Sequence, residues 1–476
     1  MDETPPESRP VVVKPDRNRN AALADQALPE LQAALGPNGC LSGEALTGIG
    51  PLSDSSGHAP DGLPLALLRP ASVEDVAQAL KICHCYKLPV VPQGGLTGLS
   101  GGANAGRREV ALSMARFAGI ESIDPVSATM TVRAGTVLET AQRAAEEAGF
   151  VLPIDLGARG TCQIGGVIST NAGGCRVVRY GTTRDNLLGL EAVTAQGQIL
   201  SHLSRVTKDN TGYDLRHLFC GAEGTLGVVT RAVLRLWPRP AQRETALCAI
   251  DGFDQVVALL KRARKCLVLQ AFEVMWRDHF VMSGGGSLFA DPPPLAVLIE
   301  AEGDGLSAIL EDAFASGEVT DALIAQSEAD AQAFWAVRES RNPSQSLHDV
   351  LNLDVSLPIS TMAGFVDDCG AAIRGLDPAA DVYFFGHLGD GNLHVMARMP
   401  TLGAEGKAAL QSFAYPLVRD REGSISAEHG IGTIKRDWLG LSRSEFEIAA
   451  MRGLKAAFDP QGLMNPGKLL PEAFSL

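Results

Sequence analysis

The spacing of apolar and polar positions divides this chain into short strands and helices from about residue 21 onward. Residues 1–20 are polar, rich in proline and without periodicity, and are expected to be a disordered tail. Ala21–Leu35 has helical spacing and stops at Gly36-Pro37. Ser72-Val73-Glu74-Asp75 reads as a cap followed by an acidic first turn, which predicts a helix over Val73–Tyr86. Leu88–Pro92 reads as a short strand, and strands broken by glycine turns continue to about residue 236. Trp237-Pro238-Arg239-Pro240 marks a boundary. Between 241 and 330 strands and helices alternate, with Phe253–Cys266 helical and Leu295–Glu300 extended. Gly317–Val337 reads as helix with little strand. Val382–Phe385 and Leu393–Met396 read as apolar strands folded back on each other by the Asp390-Gly391 turn. The last sixty residues read as helical and close on Asn465-Pro466-Gly467-Lys468. The division is 1–20, 21–240, 241–430 and 431–476, with no internal repeat.

Composition narrows the function classes. With 476 residues, of which 45% are hydrophobic, the chain can build two or three cored domains. A net charge of −14 argues against nucleic acid and against an anionic membrane surface. No apolar run approaches the length of a membrane-spanning helix. The first residues, Met-Asp-Glu-Thr-Pro-Pro, resemble neither a secretion signal nor a transit peptide. The nine cysteines form no Cys-x-x-Cys pair, so reduced thiols in a cytoplasmic protein are expected. Cys83-His84-Cys85 lies inside the helix predicted there and has no second half, which argues against a metal at that point.

The densest chemistry is His387-Leu388-Gly389-Asp390-Gly391-Asn392-Leu393-His394, answered by Ala427-Glu428-His429-Gly430. A tight turn brings the two histidines of the first motif towards one point. Glu428 adds a carboxylate, giving a two-nitrogen, one-oxygen set suited to a divalent transition metal with open positions. His429 is then left as a base. The bland alternative is a hairpin and loop with satisfied histidines. Clustering of three of the nine histidines with Asp390, Asn392 and Glu428 favours the metal.

Three glycine-rich segments lie upstream. They are Pro92-Gln93-Gly94-Gly95-Leu96-Thr97-Gly98-Leu99-Ser100-Gly101-Gly102-Ala103, Pro153 to Gly174, and Gly221 to Val229. Glycines let the backbone turn sharply and aim amides at an anion such as a pyrophosphate. The spacing is neither the nicotinamide fingerprint nor a P-loop. Three such loops suit a dinucleotide threaded through a deep groove.

Taken in order, PQGGLTGLSGGA, DLGARGTCQIGGVISTNAGG, RYGTTRDNLLGLE, KDNTGYDLRHLFCGAEGTLGVVT, GHLGDGNLH and SAEHGIGTIKR resemble the FAD-linked D-2-hydroxyacid dehydrogenases of the vanillyl-alcohol oxidase type, over roughly residues 65 to 470. That family includes enzymes acting on D-2-hydroxyglutarate and on D-lactate. The resemblance implies an α+β fold. Residues 21–240 would form a two-part FAD-binding domain, and 241–430 a substrate and metal-binding domain with an antiparallel sheet. Residues 431–476 would be a helical segment returning to the FAD.

Carried over by motif, the cofactor-binding residues are Pro92, Gln93, Gly94, Gly95, Leu96, Thr97, Gly98, Gly101, Gly102, Pro153, Asp155, Gly157, Gly165, Gly166, Ser169, Asn171, Gly174, Gly227 and Lys468. Lys468 is expected near the flavin, where a cation would stabilise the reduced ring. Covalent flavoproteins of the family carry a histidine in the first glycine loop. Its absence here implies FAD held non-covalently.

The mechanism implied is hydride transfer from the α-carbon of a D-2-hydroxy acid to flavin N5. Zinc or manganese on His387, His394 and Glu428 would acidify the hydroxyl, and His429 would take its proton. Arg338 and Asn392 would hold substrate oxygens. The hydroxyglutarate enzymes carry a lysine where this chain has Asn352 and a threonine near its Asn342, so a cation is lost. D-2-hydroxyglutarate stays the first expectation, with D-lactate and other D-2-hydroxy acids open. Electrons must leave to an external acceptor, either an electron-transfer flavoprotein or a quinone-linked carrier. A homodimer is left open. The rival from another class is a metal-dependent hydrolase or lyase without flavin.

Overall fold

The computed structural model describes residues 17–340 and 350–471, so Asn342 and most of the proposed N-terminal tail lie outside the described residues. The first helix, Arg17–Leu35, starts four residues earlier than its apolar spacing predicted.

The N-terminal half is built on two main sheets, with a small two-stranded pairing of Phe150–Val151 and Trp237–Pro238 beside them. Ala66–Leu68, Val110–Ser113 and Val90–Gln93 pair in parallel, with Cys40–Ser42 antiparallel at the edge. The helix Val73–Cys85 packs beside them. Its Ser72 side chain accepts from the Asp75 N–H at 3.0 Å, the cap expected from the sequence. A five-stranded antiparallel sheet follows, in the order Ile120–Asp124, Thr129–Arg133, Val228–Arg235, Leu187–Val193, Ile199–His202. Both sheets share one apolar core. Leu187–Val193 is buried along its whole length, and its one charge, Glu191, is paired with Arg231.

The C-terminal half is built on a seven-stranded antiparallel sheet. Its order is Asp321–Ile324, Arg243–Ile250, Leu295–Glu302, Val268–Trp276, Asp381–Gly386, Asn392–Arg398, Leu351–Ser356. Alternation sorts its side chains. Ala246, Cys248 and Ile250 face helices Phe253–Cys266, Leu306–Ala315, Met362–Leu376 and Gly406–Arg419, whereas Leu247 and Ala249 face a smaller core with Phe334 and Val337. On Phe253–Cys266 the apolar stripe is Val256, Leu259, Leu260 and Ala263, at helical spacing. Cutting Leu260 to alanine would cost about 2–5 kcal/mol.

Two predicted elements change. Gly317–Val337 contains the edge strand Asp321–Ile324 before the helix Glu328–Arg338, because the open edge of Arg243–Ile250 recruits four residues into the sheet. The final segment has one α-helix, Glu445–Phe458, and is otherwise largely irregular. Its backbone is used instead to bind the N-terminal half. The Asn465 N–H donates to Val90 O at 2.7 Å, and its side-chain amide donates to Gly102 O and Glu223 O at 2.9 and 2.7 Å.

Candidate active site

A groove of about 370 Å³ opens between the glycine loops and ends at Glu428 and His429. Pro92, Gln93, Gly94, Gly95, Leu96, Thr97, Gly98, Gly102, Gly157, Gly165, Gly166, Ser169 and Gly227 line it, as the motifs imply. A Cβ placed at Gly157 or Gly166 would meet nothing within 4 Å, so bare backbone faces the opening. That is the cradle a dinucleotide requires. Asp54, Met114, Cys162, Gln163 and Glu223 line it too and were not anticipated.

Six expected cofactor residues sit elsewhere. Gly101 is packed against Thr433, whose hydroxyl donates to its carbonyl at 3.3 Å. Pro153 is buried. Asp155 is spent on Arg159 and Arg176, at 2.5 and 3.6 Å. Asn171 stands at φ 50° with its side chain accepting from the Arg184 N–H. Gly174 turns its N–H onto Glu428 Oε1 at 2.6 Å. Lys468 is buried in an ion pair with Glu109 at 3.2 Å, so its cation is already matched.

The histidine motif forms as expected. Asp381–Gly386 and Asn392–Arg398 pair antiparallel, joined through a 3₁₀ turn at Leu388–Asp390 and Gly391 at φ 86°. A side chain at Gly391 would be strained by that φ and would press on Leu357 O. His387, His394 and Glu428 each offer a ligand atom, and those atoms all lie within 4.8 Å of one another. His387 Nε2 stands 4.0 Å from Glu428 Oε1. The chemistry suits a divalent ion: two imidazoles, one carboxylate and a wall open to the groove.

Carboxylates stand behind both histidines, the arrangement that orients metal-binding imidazoles. Glu273 Oε2 lies 2.7 Å from His387 Nδ1, and Asp354 Oδ1 lies 3.7 Å from His394 Nδ1. Burial opposes charge on His387, but the Glu273 carboxylate outweighs it and lifts that imidazole to about 9. Burial pushes His394 well below the usual histidine range and carries the Asp390 carboxyl up to about 7. Asp354 also lies near Glu428 and His429. Its oxygens, however, accept from the N–H groups of Glu428 and His429 and from Asn392 Nδ2, which turns them away from a ligand role.

Two substrate-binding expectations change. Arg338 donates through Nε and Nη2 to Glu273, at 2.8 and 2.7 Å, with its guanidinium over the Phe385 ring. It supports His387 from behind. Asn392 is buried, and its amide holds Asp354 at 2.8 Å. Asn352 is exposed, opposite Met396 in the register that sets Asp354 opposite His394. Because side chains alternate, Asn352 shares the face of Asp354, about 7 Å further along. Sequence reasoning missed Glu273, Asp354 and Lys435. Glu273 and Asp354 are lone charges within apolar strands, and that isolation was the available signal; Lys435 stands beside Arg436 and Asp437 and gave none.

A glycine-walled groove that reaches Glu428, with His387 and His394 clustered behind it, defines a class, and comparisons with known proteins agree. Residues 64–202 match the FAD binding domain model, and residues 239–469 match the model for FAD linked oxidases, C-terminal domain. The fold matches that of p-cresol methylhydroxylase with a TM-score of 0.76 at 16% identity, over 94% of this chain and 97% of that one. The chain belongs to the FAD-linked D-2-hydroxyacid dehydrogenases of the vanillyl-alcohol oxidase type and is an FAD-dependent oxidoreductase. It is similar to D-2-hydroxyglutarate dehydrogenase from Xanthomonas citri pv. viticola, 41% identical over 85% of this chain and 89% of that protein. It is also similar to mitochondrial D-2-hydroxyglutarate dehydrogenase from Bos taurus, 40% identical over 86% of this chain and 77% of that protein. Among the described residues no helix is long and apolar enough to cross a membrane.

Proposed function

We propose that the protein oxidises a D-2-hydroxy acid, D-2-hydroxyglutarate before others, to the 2-oxo acid and passes the electrons to an external acceptor. The observation that carries this reading is the convergence of His387, His394 and Glu428 at the end of the groove, with His429 beside them. Bound FAD supplies the hydride acceptor. A zinc or manganese ion on His387, His394 and Glu428 would lower the pKa of the substrate hydroxyl. His429 takes the hydroxyl proton at a ring nitrogen. Glu273 and Arg338 hold His387 in place, and the Gly174 N–H fixes the Glu428 carboxylate. Phe385, on the adjacent strand, packs its ring against His394. An electron-transfer flavoprotein or a quinone-linked carrier is the acceptor this family reading supports.

A second substrate reading rests on Asn352 and Met396. They put a neutral amide and a thioether on the site's face beyond Asp354 and His394, and a second carboxylate would gain no cation from either. D-lactate or another monocarboxylic D-2-hydroxy acid suits that face. Anaerobic bleaching of the flavin by D-2-hydroxyglutarate, D-malate, D-lactate and their L-enantiomers decides. Bleaching by D-acids alone supports the reaction, and the fastest names the substrate. Bleaching by none of them would refute it.

A further inference from the structure

The Asp354 carboxylate is fully buried on the strand Leu351–Ser356, yet it touches both halves of the proposed chemistry. Oδ2 accepts from the backbone N–H groups of Glu428 and His429, at 2.8 and 2.9 Å. The same oxygen lies 3.8 Å from His429 Nδ1, and Oδ1 lies 3.7 Å from His394 Nδ1. These ring separations exceed a hydrogen bond, so the interaction with the imidazoles is electrostatic. Asn392 Nδ2 donates to Oδ1 at 2.8 Å and fixes the plane of the carboxylate. Beneath it the buried Lys435 ammonium donates to Asp354 O and Ile425 O, at 3.4 and 3.0 Å.

A loop staple needs only an acceptor for two backbone amides. Asp354 is a charged group shared between two imidazoles on different chain segments, and the Asn392 amide, which also donates to Val355 O, helps set its orientation. We propose that Asp354 is a positioning residue that orients His429 and His394 together and stabilises the charge His429 gains when it takes the substrate proton. The proton moves from the substrate hydroxyl to His429 and stops there. This rests on the reading of His429 as the base.

Asp354→Asn keeps an acceptor oxygen and removes the charge. In the FAD-loaded protein saturated with zinc or manganese, this variant should reduce its flavin about 10–100-fold more slowly, with KM near that of the parent. In a His429→Asn background the same change should cost clearly less than in the parent, because only its hold on His394 remains to be lost. An undiminished rate in Asp354→Asn overturns the proposal. So does an equal loss in both backgrounds, which marks a purely structural residue. If His429→Asn by itself reduces flavin at the parent rate, the reading of the base falls and this inference with it. If His429→Asn is slow and Asp354→Asn is not, this inference falls alone. Should Asp354→Asn yield no holoprotein, Asn392→Ala frees Oδ1 while leaving the charge. About tenfold slower flavin reduction supports the proposal there, and an unchanged rate overturns it.

Discussion

The backbone N–H of Gly174 donates to Glu428 Oε1 at 2.6 Å, joining two positions 254 residues apart. The other glycine loops make equivalent contacts. Ser100 Oγ donates to His429 O and Gly430 O, at 2.9 and 3.0 Å. Glu223 accepts from the N–H groups of Ile431 and Gly432, at 2.8 and 2.7 Å. Every glycine loop of the groove therefore grips the segment that carries Glu428 and His429.

Gly174 cannot be replaced quietly. It sits at φ 91°, and a Cβ there would stand 1.8 Å from Asp155 O. Gly174→Ala should be destabilised by roughly 1–3 kcal/mol from backbone strain alone. It should also weaken divalent metal binding, because the backbone shift forced by the Cβ moves the residue-174 N–H off Glu428. Thermal denaturation and metal analysis check this; a parent-like melting temperature with full metal content would contradict it.

FAD should leave the polypeptide on acid or heat denaturation. The loop Gly94–Gly101 contains no histidine to form a covalent link. Yellow colour remaining with precipitated protein would count against this.

Chelation should abolish turnover and leave FAD bound, because His387, His394 and Glu428 stand at one end of a groove whose walls are the glycine loops. Alanine at any of the three should behave the same way. Full turnover in metal-free protein would exclude the ion from the reaction.

Metal affinity should depend on pH in a stated direction. Glu273 raises His387 to about 9, so below that pH a proton occupies a nitrogen-bearing ligand that must be neutral to bind. Apparent affinity should fall about tenfold for each pH unit lowered beneath 9. Glu273→Gln removes the partner carboxylate and should flatten the slope near neutrality. Calorimetric titration with zinc at several pH values measures both; an affinity independent of pH in the parent would contradict the assignment.

The sequence made half of the site legible. His387 and His394 flank an Asp-Gly turn, so local chemistry alone brings them together, and the strands on either side form as their patterns required. Glu428 and His429 were readable as a motif, but not the contacts from Ser100, Gly174 and Glu223 that hold them. Those cross hundreds of residues and exist only once the domains pack. Asp354 and Glu273 stayed hidden because an acid in an apolar strand has no role until its neighbours are paired. Arg338 and Lys468 were misplaced for a related reason. A sequence shows a cation but not the buried carboxylate that neutralises it, here Glu273 and Glu109. The predicted C-terminal helices gave way to irregular chain because its N–H and side-chain donors bond to the first half instead.

The most direct test of the account is anaerobic stopped-flow reduction of the flavin by D-2-hydroxy acid in His429→Asn, with metal and FAD content measured on the same sample. The account predicts full metal and FAD with flavin reduction slowed by about 10²–10⁴, the usual cost of removing a general base. Rapid bleaching in this variant, or loss of the metal with it, would contradict the division of roles between Glu428 as ligand and His429 as base.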